Sequence, residues 1–440
     1  MNEMNIRKFK LSDLNPAKYN PRKTLKPGDK EFEKLKNSIQ NFGYVELIVV
    51  NEANNNTVIS GHQRLSVLQH LGETEAECVV VSLNEDDEKA LNITMNKVTG
   101  EWDVDKLAKV MDSLKELDYD LGKTGFDPPE IDELFNQVHD KKVKDDDFDA
   151  EKAAEAPAFV EAGDIWLLGR HRLMCGDSTK PEDVDVLMDG KKANACITDP
   201  PYNCAYEGGT GMAIMNDHWD DSEKFYQFLL AALTNVYEHL ADGGALYVFH
   251  SDAEKCNFFN ATVNAGFHYS TTCIWVKNAL VIGRMDYQMR HEPVIYAFKD
   301  TARHKFYGDR KQTTIWEFDK PKKSKLHPTT KPLPLIAYPM KMSSLENSII
   351  LDLFGGSGST LMAAEQMNRV ACLMELDPKY ASAIVRRYAA TAGKTDDIYV
   401  IRSGQKLRCD EVYQMTDEDY ALQEGNVNDA QCGRQRNADE

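Results

Sequence analysis

Ser348-Ile349-Ile350-Leu351-Asp352-Leu353-Phe354-Gly355-Gly356-Ser357-Gly358-Ser359-Thr360 is the stretch on which the fold class of this chain turns. Its first six residues are an apolar run with the character of a buried strand. A glycine-rich turn follows, and Leu361-Met362-Ala363-Ala364-Glu365 opens a helix. Strand, glycine turn and helix in that order let backbone approach a bound cofactor closely. The next strand, Val370-Ala371-Cys372-Leu373-Met374-Glu375, ends in an acid. In dinucleotide-type folds an acid at that strand end takes the cofactor's ribose hydroxyls. Glycine turns are common, so on these residues alone an ordinary turn stays open.

A second strand end sharpens the reading. Ala193-Asn194-Ala195-Cys196-Ile197-Thr198 runs into Asp199-Pro200-Pro201-Tyr202. Two prolines stop a strand, because neither can donate to the ladder and both fix φ. An acid, two free carbonyls and an aromatic ring are thereby held at a strand end, where open α/β sheets bind ligands.

With those residues in hand, the segment from about Gly163 to Arg402 resembles the β group of amino-methylating DNA methyltransferases, the adenine-N6 and cytosine-N4 family. Asp199 to Tyr202 matches the family's catalytic motif, and Phe354 to Gly358 its cofactor motif. Gly176-Asp177-Ser178, His327-Pro328-Thr329-Thr330-Lys331-Pro332, Ile274-Trp275-Val276-Lys277-Asn278 and His291-Glu292 also sit where the family has similar stretches. The resemblance implies a Rossmann-like, S-adenosylmethionine-dependent fold and transfer of a methyl group to adenine N6 in double-stranded DNA, on a base flipped out of the helix. It implies that Asp199 and the Pro200 carbonyl accept the amine hydrogens, that Pro201 shapes the turn, and that Tyr202 stacks on the base. It places the methionine part of the cofactor at Phe354, Gly355, Gly356, Ser357 and Gly358, the ribose at Glu375 and the adenine end at Asp177, with Lys331 bordering the site. Tyr380, Ala383 and Arg387 are read as packing. A leaving sulfonium becomes neutral, so no metal is expected. Three other readings stay open: methylation of cytosine N4, a nucleotide-gated DNA-binding protein with a vestigial methylase, and methylation of a protein or small molecule.

Residues 1–100 form a different unit. Asn20-Pro21-Arg22 precedes a helical pattern with Phe32, Leu35, Ile39 and Phe42 on one face, ended by Gly43. Leu47-Ile48-Val49-Val50 and Thr57-Val58-Ile59 read as strands around an Asn-rich turn. Ser60-Gly61-His62-Gln63-Arg64 then opens a short helix, a plausible place for a phosphate. This unit resembles the small α+β ParB-like and sulfiredoxin-like domains, a pairing met in phage or prophage methylases. The resemblance gives Arg22, Gly61, His62 and Arg64 a phosphate- or DNA-contacting role. The reactive cysteine of sulfiredoxins is missing from the turn, and Gln63 stands where many ParB-like domains carry a second arginine.

Residues 101–138 read as a helical segment, with Leu107, Val110, Met111, Leu114 and Leu117 as an apolar stripe. Asp127-Pro128-Pro129-Glu130 imitates the catalytic tetrapeptide but has no strand before it and no aromatic at its fourth place, so it is a helix start. Residues 139–160 are charged and Ala-rich, the composition of a linker. The methyltransferase domain is expected over 161–403, and 404–440 as an acidic disordered tail.

Length and composition bound the rest. At 440 residues the chain suggests two or three domains. The net charge of −19, from 52 basic and 71 acidic residues, argues against nucleic acid as an average. Basic residues nonetheless cluster at Arg303, His304, Lys305, Arg310 and Lys311 and at Lys320, Lys322, Lys323, Lys325 and Lys331, which next to a base-modifying motif read as a phosphate-facing surface. Cys204–Ser222 and Thr301–Lys325 are the candidate target-recognition segments. Nine cysteines without a Cys-x-x-Cys pair, no apolar run of membrane length and no signal-peptide shape predict a cytoplasmic protein of a bacterial cell or phage-infected host. The oligomeric state stays open, a homodimer included.

Overall fold

The computed structural model describes residues 5–22, 25–96, 102–117, 119–126, 130–131, 134–135, 143–146, 148, 150–204, 215, 217–281, 286–309, 311–319 and 331–421. It divides into two compact units, Met1–Asp140 and Lys141–Glu440.

In the first unit the strands are β1 (Ile6–Lys10), β2 (Asn15–Pro16), β3 (Ile48–Asn51), β4 (Thr57–Ser60) and β5 (Glu75–Val81), and the helices are α1 (Lys30–Phe42), α2 (His62–His70), α3 (Glu85–Asn96) and α4 (Val104–Glu116). The sheet order is β1-β5-β3-β4-β2. Ile48, Val50, Val58, Leu65 and Leu68 form its core. The N–H of Gly43 closes α1 on the Ile39 carbonyl at 2.9 Å. Phe32 is buried, but Phe42, expected on the same face, is 77% exposed because the helix stops beside it. Leu107, Val110, Met111 and Leu114 of α4 pack with Ile93, Leu134 and Phe135 in a second cluster. Asp127, Pro128 and Pro129 lie outside the described residues.

The second unit contains α5 (Ala150–Glu155), β6 (Ile165–Leu168), β7 (His171–Cys175), α6 (Pro181–Met188), β8 (Ala193–Thr198), α7 (Ser222–His239), β9 (Leu240–Phe249), α8 (Lys255–Asn264), β10 (His268–Val281), β11 (Met289–Phe298), β12 (Ile315–Glu317), α9 (Leu333–Ser343), β13 (Ile349–Asp352), α10 (Ser359–Gln366), β14 (Val370–Glu375), α11 (Pro378–Ala392), β15 (Ile398–Arg402), β16 (Gln405–Arg408), α12 (Cys409–Val412) and α13 (Asp417–Ala421). Eleven strands run in the order β12-β10-β11-β9-β8-β13-β14-β7-β6-β15-β16. The central five, β9-β8-β13-β14-β7, are parallel. These strands are apolar throughout because helices cover both faces: Ile197, Ile350, Ala371 and Leu373 meet α9, α10 and α11 on one side, and Cys196, Leu351, Cys372 and Met374 meet α6, α7 and α8 on the other. From β8 the chain crosses to β9, whereas from β13 it crosses to β14 on the opposite side. The loops after β8 and β13 therefore diverge, which opens a crevice at adjacent strand ends.

Two expectations fail at the edges of this unit. The stretch 139–160 is not a loose linker over its described part. Phe148, Ala150, Ala153 and Ala154 are buried against Ala383 of α11, and Lys144 exchanges two 2.9 Å hydrogen bonds with the Gln366 side chain. Its charged residues have buried arginines and helix ends to bind, which composition does not reveal. The tail is also folded as far as Ala421, because Asp419 is buried on Arg386, with Oδ1 accepting from Nε at 2.8 Å. Residues 139–142 and 422–440 lie outside the described residues.

Candidate active site

Both motif loops line one cleft, with Ile197, Thr198, Asp199 and Pro201 on the β8 side and Asp352 to Ser357 on the β13 side. Gly176, Ser178, Lys331, Glu375, Asp377, Tyr380 and Ala150 complete much of the wall.

The cofactor loop is shaped by backbone. Gly356 and Gly358 have φ of +50° and +80°, a region that side chains disfavour. At Gly358 a Cβ would also sit 3.1 Å from Ile384. The Gly355 N–H donates to the Met374 carbonyl at 2.7 Å, tying the turn to β14. Glu375, the acid ending β14, accepts from the Gly356 N–H at 2.7 Å and the Asp377 N–H at 2.9 Å. Burial pushes its carboxyl up to about 7 despite those bonds. Beneath the turn lies Asp352, which no motif reading had singled out. It accepts from Thr198 at 2.8 Å, from the Phe354 N–H at 3.1 Å and from Thr360 at 2.6 Å, so it joins the ends of β8, β13 and α10. Burial raises its carboxyl to about 7 as well.

The catalytic loop is shaped by charge. Lys331 donates to Asp199 Oδ2 at 2.6 Å, and the Tyr202 hydroxyl donates to Asp199 Oδ1 at 2.5 Å. Lys331 also lies 3.3 Å from Glu292, which in turn pairs with Lys277. Two carboxylates and two ammoniums thus form a neutral, mostly buried quartet. Burial disfavours the Lys331 ammonium, but Asp199 and Glu292 outweigh it and its pKa rises. Burial likewise works against ionised Glu292, and Lys331 and Lys277 overcome it, so its pKa falls. The sequence placed Lys277 and Glu292 near family motifs without giving them a role. A lysine and an acid on neighbouring antiparallel strands β10 and β11 are the signal that could have found them.

Several of the expected site residues make contacts of their own. Tyr202 turns its hydroxyl onto Asp199 and stands edge-on to Phe258, with ring centroids 6.2 Å apart. Asp177 Oδ1 accepts from the Thr179 N–H and hydroxyl at 3.0 and 2.7 Å, and its neighbours Gly176 and Ser178 line the cleft. Tyr380 and Arg387 do more than pack. Tyr380 lines the cleft, and Arg387 donates to the Ser357 carbonyl at 2.7 Å. His327 to Thr330, the cluster at Lys320, Lys322, Lys323 and Lys325, and Arg310 lie outside the described residues, as do most of 205–216.

In the N-terminal unit, Gly61 caps α2 and His62 begins it. Burial first, and Arg22 second, depress the His62 imidazole to about 4, and its buried Nε2 meets no hydrogen-bond partner among the described residues. Arg64 donates to the Glu46 and Leu47 carbonyls at 2.7 and 3.1 Å, and pairs with the Glu46 carboxylate at 3.1 Å. Arg22 lies over the Trp102 ring at 6.0 Å.

Residues 193–386, which contain both motif loops and their charge partners, match the model of the DNA methylase family. The chain carries an N6/N4-type DNA methylase. Residues 1–97 match the ParB N-terminal domain and residues 105–162 the ParB-methyltransferase helix-turn-helix domain. That second match runs through both the expected helical segment and the expected linker. The methylase is similar to the type II methyltransferase M.HpaI of Haemophilus parainfluenzae, 23% identical over 52% of this chain and 77% of that one. It is similar to the DNA adenine methyltransferase YhdJ of Escherichia coli, 23% identical over 46% and 80%. Among solved structures, the M1.HpyAVI–SAM complex matches with 22% identity, a TM-score of 0.38, and coverage of 49% of this chain and 98% of that one. No helix among the described residues is long and apolar enough to cross a membrane.

Proposed function

We propose that this DNA methylase transfers a methyl group from S-adenosylmethionine to the N6 amine of an adenine flipped out of duplex DNA. The observation that carries the reading is the placement of Asp199, anchored by Lys331 and Tyr202, one strand away from the glycine loop on the same cleft. The residues present fit the cofactor: a turn with two left-handed glycines allows close approach, and the Glu375 carboxylate is an acceptor for ribose hydroxyls. S-adenosylmethionine, when bound, supplies an electrophilic methyl on a sulfonium.

The chain must make the base amine nucleophilic. An exocyclic amine is a poor nucleophile, because its lone pair is delocalised into the ring. Asp199 accepts a hydrogen bond from one amine hydrogen through lone pairs that Lys331 and Tyr202 leave open, and the Pro200 carbonyl accepts one from the other; the proton that the methylated nitrogen must lose leaves along the Asp199 hydrogen bond to solvent. The nitrogen is drawn toward tetrahedral geometry, and the interaction strengthens as the transition state forms. Lys331 holds and aims Asp199, and Tyr202 fixes its second oxygen. Most of the acceleration comes from holding two reactants in line. Phe354 to Gly358 hold the methionine part, with Gly176 and Ser178 lining the same cleft. Arg22 and the Gly61–Arg64 turn are assigned to contact with a phosphate. Asp with Tyr at the motif's first and fourth places goes, by resemblance, mostly with adenine, and a carboxylate is a stronger acceptor than the hydroxyl found in many cytosine enzymes. Mass spectrometry of nucleosides from DNA treated with the protein and S-adenosylmethionine tests the reading. N6-methyladenine is expected; N4-methylcytosine in its place overturns the base assignment, and unmodified DNA overturns the activity.

A further inference from the structure

Arg387 of α11 has a side chain only 2% exposed. Its Nη1 donates to the Ser357 carbonyl at 2.7 Å, in the middle of the cofactor loop. Its other face is gripped by Asp146, which accepts from Nε at 2.8 Å and Nη2 at 2.5 Å. The strap carrying Asp146 is anchored at several of its described residues. Asp145 accepts from the Leu333 N–H at 2.6 Å, at the start of α9 and two residues beyond Lys331. Phe148 lies under the Arg387 guanidinium at 5.3 Å. The carbonyls of Ala153 and Pro157 take hydrogen bonds from the fully buried Arg386 at 3.2 and 2.8 Å, and Ala150 lines the cleft itself.

A buried guanidinium needs a matched acceptor for its fork, and a carboxylate is the one group that neutralises it in bidentate geometry. Among the described residues, none of the carboxylates within the DNA methylase family match, 193–386, is paired with Arg387. The partner comes from residue 146, inside the stretch matched by the helix-turn-helix family model.

We infer that Asp146 is a positioning residue for the cofactor loop: through Arg387 it holds the Ser357 carbonyl, so the described residues of the strap, 143–146, 148 and 150–157, are part of the cofactor site. Without the Asp146 carboxylate, Arg387 loses its counter-charge and the fork no longer fixes Ser357. Cofactor affinity then falls, while Asp199 and its partners, on the other side of the crevice, are untouched. The inference rests on S-adenosylmethionine as the cofactor.

Titration calorimetry of the full chain with S-adenosylmethionine is the test, beside steady-state kinetics on DNA. Asp146→Asn should weaken binding by about tenfold or more, raise KM for S-adenosylmethionine in step, and leave kcat at saturation near wild type. Asp146→Glu, which keeps the charge, should recover most of the affinity. Arg387→Lys should weaken binding like Asp146→Asn, because a single ammonium cannot span Asp146 and Ser357 together; it decides alone if Asp146→Asn does not fold. Wild-type affinity in either folded variant, or a fall in kcat with unchanged affinity, overturns the role of Asp146. A wild-type chain that binds no S-adenosylmethionine overturns instead the cofactor reading beneath it.

Discussion

The two loops of the crevice are adjacent in space and built on opposite principles. The loop after β13 takes its shape from neighbours in sequence. Two glycines sit at positive φ, Gly358 N–H returns to the Gly355 carbonyl at 2.8 Å, and the next strand supplies the acid. The loop after β8 takes its shape from far away. Its aspartate is held by a lysine 132 residues distant, which is itself balanced by Glu292 and Lys277 on two further strands. One loop is set by backbone conformation and the other by charge balance, so the two should fail in different ways.

The largest expected effect is on the charge side. Glu292→Gln leaves two buried ammoniums against one carboxylate, and breaking a buried pair costs about 3–5 kcal/mol of stability. Denaturant unfolding at neutral pH measures it. Adding Lys277→Met restores neutrality and should return most of the loss. The Glu292 pKa is depressed, so its contribution is present above the ordinary glutamate value, about 4.3, and is lost as pH falls through the folded value. A loss below about 1 kcal/mol, the size of an exposed pair, would mean that the quartet is screened and does not set the loop.

Next comes Asp199→Ala, which separates chemistry from cofactor binding. Removing one preorganised charged acceptor costs about 2.7–4 kcal/mol in the barrier, on the order of a hundredfold to a thousandfold in kcat. Calorimetric affinity for S-adenosylmethionine should stay at the wild-type value. Full turnover in this variant would remove Asp199 from the mechanism, and lost cofactor affinity would show that the two loops are not independent.

The same contrast explains what the sequence could convey. The parallel core was legible because its strands are continuous apolar runs ending in recognisable turns, at Thr198-Asp199-Pro200 and Asp352-Leu353-Phe354-Gly355. The cofactor loop was legible because glycine, strand and acid are neighbours in the chain. Lys277 and Glu292 were harder: each looks like a surface charge until β10 and β11 bring them under Lys331. Asp145 and Asp146 were misread for the same reason. An acidic run reads as solvated until Arg387 is known to be buried 241 residues away.

A smaller effect is expected on the backbone side. At Gly356 a Cβ would meet only the Phe354 carbonyl oxygen, at an ordinary 3.9 Å, but φ is +50°. A valine there pays strain without a clash, about 1–2 kcal/mol, and should weaken S-adenosylmethionine binding roughly tenfold with the global fold unchanged. Gly356→Asn, which tolerates the left-handed region better, should lose less. Equal affinities for wild type and valine variant would mean that the turn does not need its glycine.

The smallest effect links the two principles through Glu375, a charge inside the backbone-built half. Burial raises its carboxyl to about 7, whereas in the unfolded chain it titrates near 4.3. A raised acid penalises the folded protein when ionised, so this group costs stability above the folded value and the cost is relieved as pH falls through it. Cofactor binding runs the other way, because ribose hydroxyls need the ionised acceptor and the proton must leave first. Affinity for S-adenosylmethionine should therefore be full above that pH and decline below it, by about tenfold one unit under the folded pKa. The stability of the free protein should rise over the same window. Glu375→Gln should flatten the affinity profile while lowering affinity at pH 8, and should leave in the stability profile only the rise that Asp352, also raised to about 7, contributes. Calorimetry and unfolding at matched pH values between 8 and 6 compare the two. Profiles that fall together, or a wild-type affinity that stays flat, would mean that the ribose is not held by this carboxylate and that the glycine loop alone carries the cofactor.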